Sequence, residues 1–274
     1  MKLQVFKNYI YDRYNILKLC IYHNIQIDLN TKTAFWDGLL GSAGFTLTYF
    51  LFLNVIFANV KTLATLNKDE MLLFTLICQI NYYLLWGLTL HNSETILEDI
   101  TYGNLDLTLI KPLPTLFYTL TKSIKIIPFL RQGLPVCIAL SFTINWSTLY
   151  ILKTNIIVGL FIMICGQLIF NACYSILGFY NFWKENTDID NVLMTIDDSL
   201  GRTIPVNGLD NFWKFVFLCI IPVCIPSSLA LLTLLGKANI IIAGMLAFIV
   251  AFIFSILKIF IWNKGLKNYN SINS

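Results

Sequence analysis

Apolar residues fall into six long runs separated by short polar stretches, near 35–60, 71–91, 124–146, 155–182, 211–235 and 238–262. Each run reaches the roughly 20 residues that an α-helix needs to cross a bilayer core. Gly236 and Lys237 divide the last two and leave room only for a tight turn. The pattern predicts an all-α polytopic membrane helical bundle of six transmembrane segments. Ahead of the first run, Phe6, Ile10, Leu17, Cys20 and Ile21 fall on one helical face, with Lys7, Asp12, Arg13 and Lys18 elsewhere. That periodicity suits a helix lying in the membrane interface, and it equally suits one packed on protein. The organisation expected is a cytosolic interfacial helix over 1–34, a transmembrane domain over 35–265 and a cytosolic tail over 266–274.

Composition agrees with the runs. Of 274 residues 57% are apolar and 12% charged, against about 25% charge in a typical globular domain. That balance excludes a soluble enzyme, a disordered linker and a disulfide-stapled secreted domain. The net charge of +4 is too small to suggest nucleic-acid binding. Lys2, Lys7, Arg13, Lys18 and Lys32 precede the first run, and Lys258, Lys264 and Lys267 gather at the end of the last. The positive-inside rule then predicts cytoplasmic termini, in agreement with an even number of crossings. Loops 61–70 and 147–154 would face outward, and 92–112 the cytosol.

That inner loop departs from the rule, because Glu94, Glu98, Asp99 and Asp106 outnumber Lys111. Ser93 is placed to cap a short helix with Glu94 in its first turn, and Gly103 to stop it. Ile96, Leu97 and Ile100 would give that helix an apolar face able to seat in a partner's groove. A plain capped loop explains the same residues.

Candidate chemistry is sparse. Cys20, Cys78, Cys137, Cys165, Cys173, Cys219 and Cys224 lie in or beside apolar runs, and His23 and His91 are too few for a metal cage, so no metal site is expected. There is no phosphate-binding Gly-x-x-x-x-Gly-Lys-Ser/Thr loop, no Gly-x-Ser-x-Gly elbow and no His-Glu-x-x-His helix. Only Arg131 sits clearly inside an apolar run, where it either snorkels to the interface or serves a pathway. Gly38, Gly41 and Gly44 share one side of the first run, suiting helix contact within the chain or across a dimer. Trp36, Trp86, Trp146, Trp183, Trp213 and Trp262 mostly fall near run ends, as interfacial anchors do.

The order Ile100, Gly103, Leu105, Asp106, Leu109, Lys111, Pro112 resembles the cytosolic loop signature of ABC-2 type transporter permeases, in a six-span subgroup. The C-terminal half is similar as well, through Phe182 and Trp183, Ile220, Ile221 and Pro222, Pro226, then Leu235 and Gly236. The resemblance spans about 35–265. It implies an export permease subunit that pairs with a second permease, the same or a related chain, and with two cytosolic ATPase subunits that carry the ATP and Mg. No cofactor is expected on this chain itself. The resemblance further implies a coupling helix over 93–103, with Glu94, Ile96, Leu97, Ile100, Gly103 and Asp106 facing the ATPase. The N-terminal helix corresponds to the family's connecting helix, and the location expected is a bacterial plasma membrane.

Residues 184–210 divide the two lines of reasoning. Lys184, Glu185, Asp188, Asp190, Asp197, Asp198 and Arg202 read by hydropathy as a cytosolic loop. The family pattern instead makes 189–206 a fifth crossing and folds 211–235 into an outer re-entrant hairpin, for which Pro222 and Pro226 supply breaks. Asp197, Asp198 and Arg202 would then line a translocation path or pair with one another, with Arg131 a further candidate. A self-contained secondary carrier or channel is the alternative function, and a membrane enzyme or scaffold a third.

Overall fold

The computed structural model describes residues 2–30, 33–184 and 189–269. Glu185 and Asp188, the tail beyond Tyr269, and the side chains of Phe6, Ile10, Trp36, Gly38 and Asp190 lie outside the described residues. Among the described residues every regular element is helical. Apart from short 3-10 turns at Trp146–Thr148 and Val206–Gly208 and a π-turn at Asp197–Gly201, they are in order α1 Lys2–Asn30, α2 Thr33–Asn59, α3 Lys68–Thr101, α4 Leu105–Leu109, α5 Thr115–Thr121, α6 Phe129–Thr143, α7 Lys153–Phe182, α8 Ile189–Ile196, α9 Asn211–Ile220, α10 Ile225–Leu234 and α11 Ile240–Asn268.

Among the described residues four helices are long and apolar enough to cross a bilayer: the Leu39–Asn59 part of α2, α3, α7 and α11. Their burial orders them from centre to periphery, since 72% of the apolar window of α3 is buried against 22% for α11 and 12% for α2. α3 starts at a capping box. The Asn67 side chain accepts from Glu70 N–H at 2.9 Å, and the Glu70 carboxylate accepts from Asn67 N–H at 2.8 Å. α7 packs along α11 and against α10, and the main core joins Phe74, Ile77, Ile162, Ile169, Tyr174 and Leu231.

Some expectations change and others hold. The third run, 124–146, yields a shorter helix, Phe129–Thr143, because residues 122–126 form a turn and an extended link before it. The run 211–235 breaks near Pro222 and Pro226, as those residues predict: α9 and α10 meet at 104° across Ile221–Cys224. Both feet of this pair lie at the Lys68 end of α3. Asn207, just before α9, donates to Thr65 Oγ1 at 3.1 Å, and Lys237, just after α10, donates to Glu70 at 2.6 Å. Phe182, by contrast, packs with Ile96 and Ile100 at the Thr101 end. Phe182 and Asn207 therefore lie at opposite ends of the bundle. Loops 61–70 and 147–154 do share an end, joined by Thr148 donating to Asp69 at 2.8 Å.

Leu17, Cys20 and Ile21 of α1 are half-buried against the chain itself, where α1 packs on α5. Arg13 sits over the Phe117 ring at 5.2 Å, and Asn24 donates to the carbonyls of Lys122 and Ile124 at 2.8 and 3.0 Å. Tyr14, Leu19, Tyr22 and Ile27 point outward. At Gly41 and Gly44 an added Cβ would meet nothing within 4 Å, so among the described residues no packing uses these two glycines.

Candidate functional site

The Thr101 end of α3 differs from the expected short capped helix. Helix continues unbroken from Lys68 to Thr101, through a π-turn at Trp86–Leu90, and Ser93 caps nothing. Its hydroxyl instead donates to the Tyr174 carbonyl of α7 at 2.9 Å. The helix does stop where glycine predicted: Tyr102 closes it, and Gly103 turns the chain at φ +74.

Ile96 and Ile100 are 0% and 6% exposed, and they do not form a free apolar ridge. They pack into a second core with Leu105, Phe179, Phe182 and Trp262. Phe179 and Phe182 each lie against Trp262, with centroids at 4.9 and 5.8 Å, and Tyr269 closes on Phe182 at 5.8 Å. Burial next to apolar neighbours at a spacing of four residues is what the sequence pattern required; the partner is this chain's own α7 and α11. Leu97 is half-buried, Glu94 is exposed beside His91 at 3.2 Å, and Asp106 is half-buried. Burial first, then the Asp106 carboxylate, holds the Tyr269 phenol above its ordinary pKa.

The residues presented outward at this end are others. Tyr102, Leu107 and Ile110 are 70%, 60% and 78% exposed, on a tip whose underside is anchored by fully buried Leu105. Sequence reasoning missed them because it assigned the apolar face to 96–100; the available signal was the apolar pair Leu107 and Ile110, three residues apart beyond the glycine. Behind the tip, Lys122 pairs with Asp99, both largely buried, and Asn92 accepts from Ser123 N–H at 2.8 Å. Lys125 N–H donates to the Gly87 carbonyl at 2.8 Å, within the π-turn.

A second group of polar residues lies inside the bundle. The π-turn Asp197–Gly201 brings Arg202 N–H back to the Asp197 carbonyl at 3.0 Å. The Arg202 guanidinium covers the Tyr82 ring at 4.0 Å, approaches Asp197 at 3.7 Å and pairs with Asp198. Asp197, Asp198 and Arg202 are thus assembled in one place, whereas Arg131 is elsewhere and donates to the Asp28 carbonyl of α1 at 3.3 Å. The bend between α9 and α10 meets the charged group: Ser227 donates to the Gly201 carbonyl at 2.7 Å, and Asn81 to the Pro226 carbonyl at 2.7 Å. The pocket between Cys78, Asn81, Tyr82, Asp197, Arg202 and Ser227 encloses about 10 Å³. That is room for one water at most and not for a cargo molecule. Among the described residues no group of His, Cys, Asp and Glu is arranged to hold a metal ion.

The family model described as "ABC-2 family transporter protein" matches residues 43–273. No curated protein and no solved structure matches the chain.

Proposed function

The chain belongs to the ABC-2 transporter family, and on that premise we propose that this membrane permease exports its cargo under the power of two separate cytosolic ATPase subunits. The family is a non-enzymatic membrane component that works with ABC ATPases. ATP and Mg would be held by those partners and not by this chain. The observation that carries the proposal is the exposed apolar tip Tyr102, Leu107 and Ile110, held on a rod that runs 34 residues through the bundle. Apolar side chains at a loop tip in water invite a partner's groove. The coupling role expected for Glu94, Ile96, Leu97, Ile100, Gly103 and Asp106 is then divided. Glu94 and the tip make contact, Ile96 and Ile100 brace it from beneath, and Gly103 and Asp106 shape it.

In this reading α2, α3, α6, α7, the 189–206 segment and α11 are the six crossings, and α9 with α10 forms a re-entrant hairpin at the outer end. The common end shared by Asn207 and Lys237 supports that arrangement. Both termini are then cytoplasmic, in a bacterial plasma membrane. The second permease, the same or a related chain, would cover the face that carries Asp198. This carboxylate is 42% exposed on a polar segment that lipid would not tolerate. Asp197, Asp198 and Arg202 would border the path there, opened wider than in this conformation. The test is co-purification: Tyr102→Asp with Leu107→Asp should release the ATPase while leaving a folded, monodisperse permease. Retention of the ATPase at wild-type stoichiometry would sink the docking surface.

A further inference from the structure

Loop 61–67 carries an unusual turn. Leu63 and Leu66 exchange both backbone hydrogen bonds at 2.9 Å, and the residues between them, Ala64 and Thr65, have φ of +49 and +66. Glycine or asparagine is the natural occupant of such a two-residue turn. For β-branched Thr65 this backbone is a true outlier, and it persists only where the surroundings impose it.

The surroundings here are the two feet of the α9–α10 pair. The Asn207 amide donates to Thr65 Oγ1 at 3.1 Å. The Lys237 ammonium donates to the Thr65 carbonyl at 2.9 Å and to Glu70 at 2.6 Å. Glu70 is fixed in turn by the capping box at the start of α3. Leu66, fully buried, pins the turn to the core. One strained residue thus receives a hydrogen bond from the chain just before the pair and another from the chain just after it. A capping or packing role would need neither the strain nor the convergence of both feet on Thr65.

We propose that Thr65 is the centre of an outer latch that draws the feet of the α9–α10 pair together in the resting state, and that Asn207 and Lys237 must leave Thr65 for the outer end to open. The latch rests on reading the chain as an ABC export permease. Release of the two donors lets Thr65 relax toward an ordinary conformation, so the turn favours opening once its holders are gone. The strain opposes the hydrogen bonds and keeps the latch reversible.

The test uses the full chain in complex with the ABC ATPase that co-purifies with it. An added Cβ at Gly208 would lie 3.1 Å from the Ala64 Cβ, so Ala64→Cys with Gly208→Cys needs only a few tenths of an ångström of relaxation to form a disulfide. With the bond verified by mass spectrometry, oxidation should lower ATP turnover about tenfold and reductant restore it, with both single-cysteine variants unaffected. Separately, Asn207→Ala and Lys237→Met should each raise basal turnover a few-fold, roughly, by removing one of the two donors that hold Thr65 in the resting state. Turnover unchanged by the verified disulfide, or unchanged in both loosening variants, overturns the latch and leaves the permease reading intact. A chain that recruits no ATPase at all overturns both.

Discussion

Gly265 of α11 lies against the Phe182 ring so closely that a methyl group at 265 would stand 2.7 Å from Cε2 and overlap Cδ2. The contact joins α11 to the end of α7 beside the apolar tip, where Phe182 also meets Trp262 and Tyr269. Gly265→Ala should push the ring off its site and destabilise the permease by about 1–3 kcal/mol, as overpacking does. A thermal-shift measurement in detergent reads this directly, and an unchanged midpoint would show that the ring moves freely.

The two sets of apolar residues at the Thr101 end should separate by phenotype. Ile96→Asp or Ile100→Asp places an unpaired charge among Phe179, Phe182 and Trp262, which should cost several kcal/mol, roughly, and lower the yield of folded protein. Tyr102→Asp, Leu107→Asp or Ile110→Asp should leave yield and midpoint unchanged and weaken only ATPase binding. Size-exclusion profiles paired with pull-down would reveal an inverted pattern if the assignment were wrong.

Lys122 and Asp99 form a largely buried pair. Removing one partner by Lys122→Met strands the Asp99 carboxylate and should cost about 3–5 kcal/mol, whereas Lys122→Met with Asp99→Leu should recover much of the loss. A double-mutant cycle on denaturation midpoints measures the coupling, and additive single effects would mean that the pair contributes nothing specific.

With 189–206 as the proposed fifth crossing, Asp210, exposed at the first foot of α9, should lie outside the cell. A single cysteine at Asp210, in a background lacking the seven native cysteines, should react with a membrane-impermeant thiol reagent on intact cells. Reaction only in inside-out vesicles would return residues 184–210 to the cytosol.

Arg202 is held by Asp197, Asp198 and the Tyr82 ring. Arg202→Leu leaves the buried Asp197 and the partly exposed Asp198 without their cation and should be more damaging than Arg202→Leu with Asp197→Asn and Asp198→Asn. Equal expression and stability of the single and triple variants would remove the pairing from the account.

The amino-acid sequence alone determined what depends on local pattern. Apolar runs of membrane-spanning length gave α2, α3, α7 and α11, Gly103 gave the stop at the tip of α3, and Pro222 and Pro226 gave a break between 211 and 235. The residues Ile100 to Pro112 carried the family. Tertiary structure decided whatever depends on which surfaces meet. Hydropathy cannot distinguish an apolar face awaiting another protein from one already covered, so Ile96 and Ile100 read as a ridge until Phe179, Phe182 and Trp262 were seen to cover them. Nor can it explain why Asp197 and Arg202 tolerate burial. Their compensation comes from a π-turn and from Tyr82, more than a hundred residues away in the chain, and only folding brings those groups within reach of one another.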